Sequence, residues 1–119
     1  MSLEKLIIIG DRVLIRPRQQ GERTASGLYL PPGVREKEKI QSGYVIKAGP
    51  GYPIPFPQGE IEPWKEEDPV KYVPLQVREG DLAIFLQKES YEVVYQDEKY
   101  FIIPQNAILM IERDEELLT

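Results

Sequence analysis

The sequence predicts an all-β protein, most simply a small barrel or sandwich. Short runs rich in β-branched and aromatic residues recur along the chain, and several alternate apolar and polar residues with period two. Glycine, proline and aspartate bound these runs, whereas helical patterns are poor except in the final EELLT, which lacks length and a cap. The 119 residues suit a single domain spanning positions 1–119.

Two strands are predicted near the N-terminus, at 3–9 (LEKLIII) and 12–16 (RVLIR), around a tight bend at Gly10 and Asp11. In the second strand the alternation predicts that Val13 and Ile15 face the core, with Leu14 on the opposite face.

Five further strands follow. The two runs YEVVY and KYFII are separated only by Gln96, Asp97 and Glu98, which predicts a hairpin, although no glycine is present there for a positive-φ position. The five predicted strands are 43–48, 81–87, 91–95, 99–103 and 107–112.

A long connection at 17–42 does not follow this strand pattern. It is polar and rich in glycine and proline except for Leu28, Tyr29 and Leu30. A connection of this length without periodic structure is usually functional or disordered. The residues suit two structures equally: a mobile loop whose two leucines bind an apolar groove of a partner, or an edge strand packed on the protein's own core.

A second unusual segment, 49–76, holds seven of the eleven prolines, a density that excludes central strands and helix interiors. We expect a rigid, exposed insertion whose aromatic residues pack on each other. The chain then ends in an acidic tail at 113–119.

The composition excludes much enzymology. The chain has no cysteine and no histidine, so disulfides, thiol nucleophiles, Ser/His/Asp triads and Cys/His zinc sites are absent. No GxxxxGK[ST] phosphate loop occurs either. We therefore expect a protein that is not an enzyme and that has no catalytic residues, metal site or cofactor of its own. Without an apolar run of signal-peptide or membrane-span length, we also expect a cytoplasmic protein with no membrane partner.

Five strings occur in a specific order: GDRVLIRP, TASGLYLP, SGYVIKAGPG, VREGDLAIF and YFIIPQNAILMIE. In this order they resemble the GroES-type co-chaperonins, the chaperonin-10 family, which cap GroEL-type chaperonins and assist protein folding. The resemblance covers most of the chain. The chain departs from the family by a longer roof-loop segment at 52–76 and by leucine at position 28, where a β-branched residue is more usual.

The resemblance implies an irregular β-barrel whose subunits form a seven-membered ring, with N- and C-terminal strands pairing between neighbours. It also implies that Leu28, Tyr29 and Leu30 dock on the chaperonin, with Thr24, Ala25, Ser26 and Gly27 as a flexible lead-in. Mg-ATP would be bound by the chaperonin. In such a ring, segment 49–76 would form an extended roof loop that either is a passive elaboration or alters the apex of the dome.

Two other functions remain open from the residues. One is a small β-barrel that binds single-stranded nucleic acid or another ligand through surface aromatics, although the net charge of −5 argues against nucleic acid. The other is a ring-forming relative with a changed partner.

Overall fold

A computed structural model describes residues 3–18, 27–30, 39–54 and 71–113. Two 3-10 helices, Gln87–Glu89 and Gln105–Ala107, precede the sixth and eighth strands, and these described residues contain no α-helix. The prediction of an all-β fold is confirmed. The strands are β1 Arg12–Pro17, β2 Ile40–Ala48, β3 Tyr52–Pro53, β4 Tyr72–Val73, β5 Leu82–Leu86, β6 Tyr91–Tyr95, β7 Glu98–Pro104 and β8 Ile108–Glu112.

Six of the strands form one antiparallel sheet in the order β6-β7-β1-β2-β5-β8, consistent with a small β-barrel of the GroES-like kind. The strands β6 and β8 are the two ends of this order. The short strands β3 and β4 pair only with each other and form a separate two-stranded ribbon.

The core lies on one face of the sheet. Val13 and Ile15 are fully buried, as their alternation predicts, and the rings of Phe85 and Phe101 meet edge to face with centroids 5.8 Å apart. These side chains bring together four adjacent strands, β7, β1, β2 and β5, in one cluster. The buried members are Val13, Ile15, Val45, Val77, Ala83, Phe85, Phe101 and Ile103.

Leu14 is also buried, on the face that the period-two pattern assigns to the exterior. Its cross-strand neighbours are Ile102 on β7 and Lys47 on β2. The Lys47 ammonium donates a hydrogen bond to the carbonyl of Leu6, which places the N-terminal segment beside this face. The outer face of β1 is therefore covered at Leu14, between the exposed Arg12 and Arg16, which the alternation alone does not indicate.

The predicted strand at 3–9 is wrong. Residues 3–9 pair with no strand in the described part of the chain, and the side chains of Ile7 and Ile9 are 80% and 73% exposed. The four inner strands of the sheet each pair with two neighbours, and the two edge strands, β6 and β8, do not pair with this segment. The bend that follows is confirmed: Gly10 has a φ of 62° and the Arg12 amide donates to the Ile9 carbonyl.

The hairpin between β6 and β7 is confirmed with a shorter loop than predicted. Tyr95 pairs with Glu98, so that only Gln96 and Asp97 remain in the turn. Both have positive φ angles, 52° and 65°. This pattern is that of a type I′ turn, whose twist matches the twist of the two strands.

Candidate docking loop and the surfaces around it

The docking loop, defined as residues 18–39, leaves the sheet at the end of β1 and returns at the start of β2. Its two ends are tied to the sheet by backbone hydrogen bonds. The Arg18 amide donates to the Ser42 carbonyl at 3.0 Å, and the Gln87 amide donates to the Lys39 carbonyl at 2.6 Å. The base of the loop is therefore fixed by pairings that do not depend on the residues in its middle.

Four residues in the middle of the docking loop are described. Gly27 is exposed with a φ of 99°, a conformation that strongly favours glycine. Leu28, Tyr29 and Leu30 follow it and belong to no strand, so these residues do not form the edge strand that was the alternative. The predicted lead-in residues Thr24, Ala25 and Ser26 lie outside the described residues.

The apolar tripeptide is half-buried in the protomer. Full burial of a leucine side chain contributes about 1.5 to 3 kcal/mol, so the area still exposed at Leu28 and Leu30 represents part of that amount. Apart from the Tyr29 phenol, the tripeptide offers no ionisable side chain. Its surface is suited to an apolar groove and is unsuited to acid-base chemistry.

A tight turn in the VREGD sequence precedes β5. Gly80 has a φ of 94°, and the Asp81 amide donates to the Arg78 carbonyl at 3.1 Å. The Asp81 carboxylate in turn accepts a hydrogen bond of 2.8 Å from the Arg78 amide. Two backbone hydrogen bonds join this turn to β2. The Gly80 amide donates to the Val45 carbonyl, and the Val45 amide donates to the Asp81 carbonyl.

Asp81 is the buried charged group of the described residues, and Arg113 neutralises it. Arg113 Nε donates to Oδ1 at 2.8 Å and Nη2 donates to Oδ2 at 2.7 Å, and Nη2 also reaches the Gln76 carbonyl at 3.1 Å. Burial by itself would raise the pKa of Asp81. The hydrogen bonds and positive charges of Arg113 and Arg78 outweigh burial and hold this pKa below its ordinary value.

Sequence reasoning assigned Arg113 to the acidic tail and missed this pair. The GD dipeptide at 80–81 was a usable signal for the turn. The partner lies 32 positions away, however, and only the pairing of β5 with β8 brings it to Asp81. Residues 114–119 of the tail lie outside the described residues.

A groove of about 250 Å³ runs beside β8. Its apolar wall includes Leu109 and Met110, which are about half exposed, and its polar end holds the Gln105 amide, whose oxygen accepts hydrogen bonds from the Gln76 and Val77 amides. Since β8 ends the sheet order, it pairs with β5 on one side and with no second strand among the described residues. The strand and the groove together form an apolar surface with an unpaired edge.

The predicted insertion at 49–76 begins and ends in the ribbon of β3 and β4. The Ile54 amide donates to the Lys71 carbonyl at 2.8 Å, which closes the ribbon beyond its last paired residues. Pro53 is tolerated because this ribbon has free edges. Tyr52 and Tyr72 are partly exposed on it. The predicted packing of Phe56 and Trp64 falls on residues 55–70, outside the described residues.

Within the described ranges, no group of three or more acidic side chains is placed to hold a metal ion. The same residues contain no helix that is long and apolar enough to cross a membrane.

Comparison with known proteins gives a consistent result. A family model described as Chaperonin 10 Kd subunit matches residues 5–111, which include the whole docking loop and the VREGD turn. The chain is 37% identical over 101 residues to a Co-chaperonin GroES of Cutibacterium acnes, which covers 85% of this chain and 88% of that protein.

Two other relatives carry the same description. The chain is 36% identical over 105 residues to a Co-chaperonin GroES of Listeria innocua, with 88% of this chain and 96% of that protein covered. It is 33% identical over 103 residues to one of Coprothermobacter proteolyticus, with 87% and 90% covered. These matches do not favour the nucleic-acid-binding alternative.

Proposed function

This chain belongs to the chaperonin 10 kDa subunit family, and on that premise we propose that it is a co-chaperonin subunit that caps a GroEL-type chaperonin through its docking loop. The family consists of chaperones, and its members are not enzymes. The observation that carries the proposal is the family match over residues 5–111, a range that includes the docking loop and the strands from which it leaves and to which it returns. The role of the subunit is to bind the chaperonin, and thereby to assist protein folding.

Docking would use the tripeptide Leu28, Tyr29 and Leu30, with residues 24–27 as its lead-in. The half-buried state of the tripeptide leaves apolar area for a partner to cover, and the fixed base of the loop limits the entropy lost on binding. The loop must bind the Mg-ATP-bound chaperonin better than its other states, because a ligand biases a conformational equilibrium only through a difference in affinity. Mg-ATP itself would be held by the chaperonin.

We also propose that the subunits form a seven-membered ring. The exposed Ile7 and Ile9 and the unpaired edge of β8 with Leu109 and Met110 support intersubunit pairing, since each offers apolar surface that one protomer leaves uncovered. A ring makes weak single loops effective. After one loop binds, the others act at high effective concentration, so that modest affinities combine into tight and reversible capping.

We place the protein in the cytoplasm. The absence of cysteine agrees with a reducing compartment, where disulfides do not contribute to stability.

The test replaces Leu28 and Leu30 together by Asp and measures binding to a GroEL-type chaperonin with and without Mg-ATP, with native mass measurement of the ring. The proposal predicts that the ring persists while the complex with the chaperonin is lost. A Val94→Asp variant places one such negative charge at an exposed apolar position on β6 and serves as the control, with wild-type binding expected. Unchanged chaperonin binding by the double variant would contradict the proposed docking role, and a ring mass other than seven subunits would correct the ring size.

A further inference from the structure

The side chain of Lys47 holds a distant part of the chain. Its ammonium donates a partly buried hydrogen bond of 2.7 Å to the backbone carbonyl of Leu6, 41 positions away in sequence. We propose that Lys47 is a positioning residue for subunit assembly: it holds the N-terminal segment, residues 3–9, so that Ile7 and Ile9 face a second copy of this chain. This inference rests on the proposed ring.

The N-terminal segment has two different faces. Leu6 and Ile8 are half-buried, whereas Ile7 and Ile9 are exposed, so the side chains alternate as they do in a strand. Lys47 pairs with the buried Leu14 across β1 and β2, and its ammonium therefore reaches the segment from the outer face of the sheet. The hydrogen bond to Leu6 selects which face of the segment turns toward the protomer.

The three isoleucines lie between two anchor points. Lys47 holds the Leu6 carbonyl on one side, and on the other the Gly51 amide donates to the Gly10 carbonyl at 3.0 Å. Between these anchors, Ile7, Ile8 and Ile9 donate no backbone hydrogen bond within the described part of the chain. In an extended segment alternate amides point to the same edge, so a strand added at that edge would pair with some of these three donors.

Anchoring matters because strand pairing depends on register. A shift by one residue would turn Ile7 and Ile9 inward and Ile8 outward, which would exchange the two faces. Fixing the backbone of a free segment costs about 1 to 2 kcal/mol per residue, and a segment that is already held gives up less of this entropy on association. Lys47 thereby favours assembly without touching the second copy.

The surface that fits this segment is the free edge of β8. It offers an edge with no second strand among the described residues, together with the exposed side chains of Leu109 and Met110, beside the groove described above. A second copy of this chain is therefore the occupant that matches both the apolar side chains and the free amides of the N-terminal segment.

The experiment compares wild type with Lys47→Met, which keeps most of the side-chain volume and removes the donor. Assembly is followed by native mass measurement against protein concentration, and hydrogen exchange reports the amides of residues 6–9. We expect the concentration for half-assembly to rise about tenfold, as for the loss of one charge-assisted hydrogen bond, with faster exchange in the segment. Lys88→Met makes the same charge change at an exposed 3-10 helix and should assemble like wild type.

Equal assembly of Lys47→Met and wild type overturns the inference, and so does equal weakening in Lys88→Met, because net charge would then be the cause. If Lys47→Met fails to fold by circular dichroism, Lys47→Arg replaces it. This variant retains a hydrogen-bond donor. Assembly like that of wild type, with slow hydrogen exchange at residues 6–9, supports the inference, whereas weak assembly with slow exchange contradicts it. A wild-type protein that stays monomeric at every concentration refutes the proposed ring, and the role of Lys47 with it.

Discussion

Arg113 grips Asp81 with two parallel hydrogen bonds, from Nε to Oδ1 at 2.8 Å and from Nη2 to Oδ2 at 2.7 Å. Only 3% of the Asp81 side chain and 22% of the Arg113 side chain are exposed. The pair joins the turn before β5 to the end of β8, the strand with the free edge. The geometry is that of the strongest arginine–carboxylate contacts, in which a fork of donors meets both carboxylate oxygens.

Replacing Arg113 by Met should destabilise the protomer by about 3 kcal/mol, because Asp81 would remain buried without its positive partner. Urea denaturation at pH 7 and at a fixed protein concentration measures the change in the free energy of unfolding. Arg12→Met is the matched control. Arg12 is half exposed and contacts Asp11 at 3.0 Å on the surface, so a change of about 0.5 kcal/mol or less is expected there. Equal losses in the two variants would show that the burial of Asp81 is not decisive.

The lowered pKa of Asp81 predicts a specific acid dependence of stability. Because the folded-state pKa lies below the unfolded-state value, the unfolded chain binds the proton first as the pH falls. The stability that the ionised Asp81 carboxylate contributes is therefore complete at neutral pH and is lost below about pH 4, near the ordinary pKa of aspartate. The difference in the free energy of unfolding between wild type and Asp81→Asn should stay constant from pH 7 to about pH 5 and shrink below pH 4. A difference that does not change with pH would contradict the assigned role of the carboxylate.

The turn between β6 and β7 predicts a stabilising substitution. Asp97 has a φ of 65°, a conformation that is unfavourable for most L-residues but not for glycine. Asp97→Gly should therefore raise the free energy of unfolding by roughly 0.5 to 1 kcal/mol, and thermal unfolding should detect the change. Asp97→Ala keeps the positive φ with a residue that adopts this conformation less readily than aspartate, and it should lower stability. If both variants move the melting temperature in the same direction, the turn is not strained.

Two glycines with positive φ should respond differently to alanine. At Gly51, with a φ of 121°, an added Cβ would overlap the Val73 carbonyl and force the ribbon away from the segment before it. At Gly10, with a φ of 62°, the space is open and only backbone strain opposes the change. We expect a loss of about 2 to 4 kcal/mol for Gly51→Ala and about 1 kcal/mol for Gly10→Ala, measured by urea denaturation. A larger loss at Gly10 would show that strain outweighs the overlap.

The parts of the fold that follow from local pattern were predictable. The alternation around Val13 and Ile15 indicated both a strand and its buried face, and the spacing of the β6–β7 pair indicated a hairpin. The burial of Leu14 was missed because its neighbours on this face are Ile102 and Lys47, which lie on strands distant in sequence. The predicted strand at 3–9 has strand-like alternation only, since these residues pair with no strand in the described part of the chain.

The candidate site also contains one part that could be predicted from the sequence and other parts that could not. The apolar tripeptide at 28–30 stood out from a polar segment and could be found from sequence. Asp81 and Arg113 could not be paired in advance, because their contact depends on the register between β5 and β8. The ribbon of β3 and β4 was also hidden, since two-residue strands within a proline-rich segment give no periodic signal.

The hydrogen bond between Ile54 and Lys71 makes the ribbon an insertion point. Its ends are held together whatever chain length connects them, and the entropy of closing a flexible loop grows only with the logarithm of its length, by about 0.6 kcal/mol per doubling. A foreign peptide or affinity tag inserted between Ile54 and Lys71 should therefore destabilise the sheet very little. We therefore expect the ribbon of β3 and β4 to be a place where this protein tolerates new sequence.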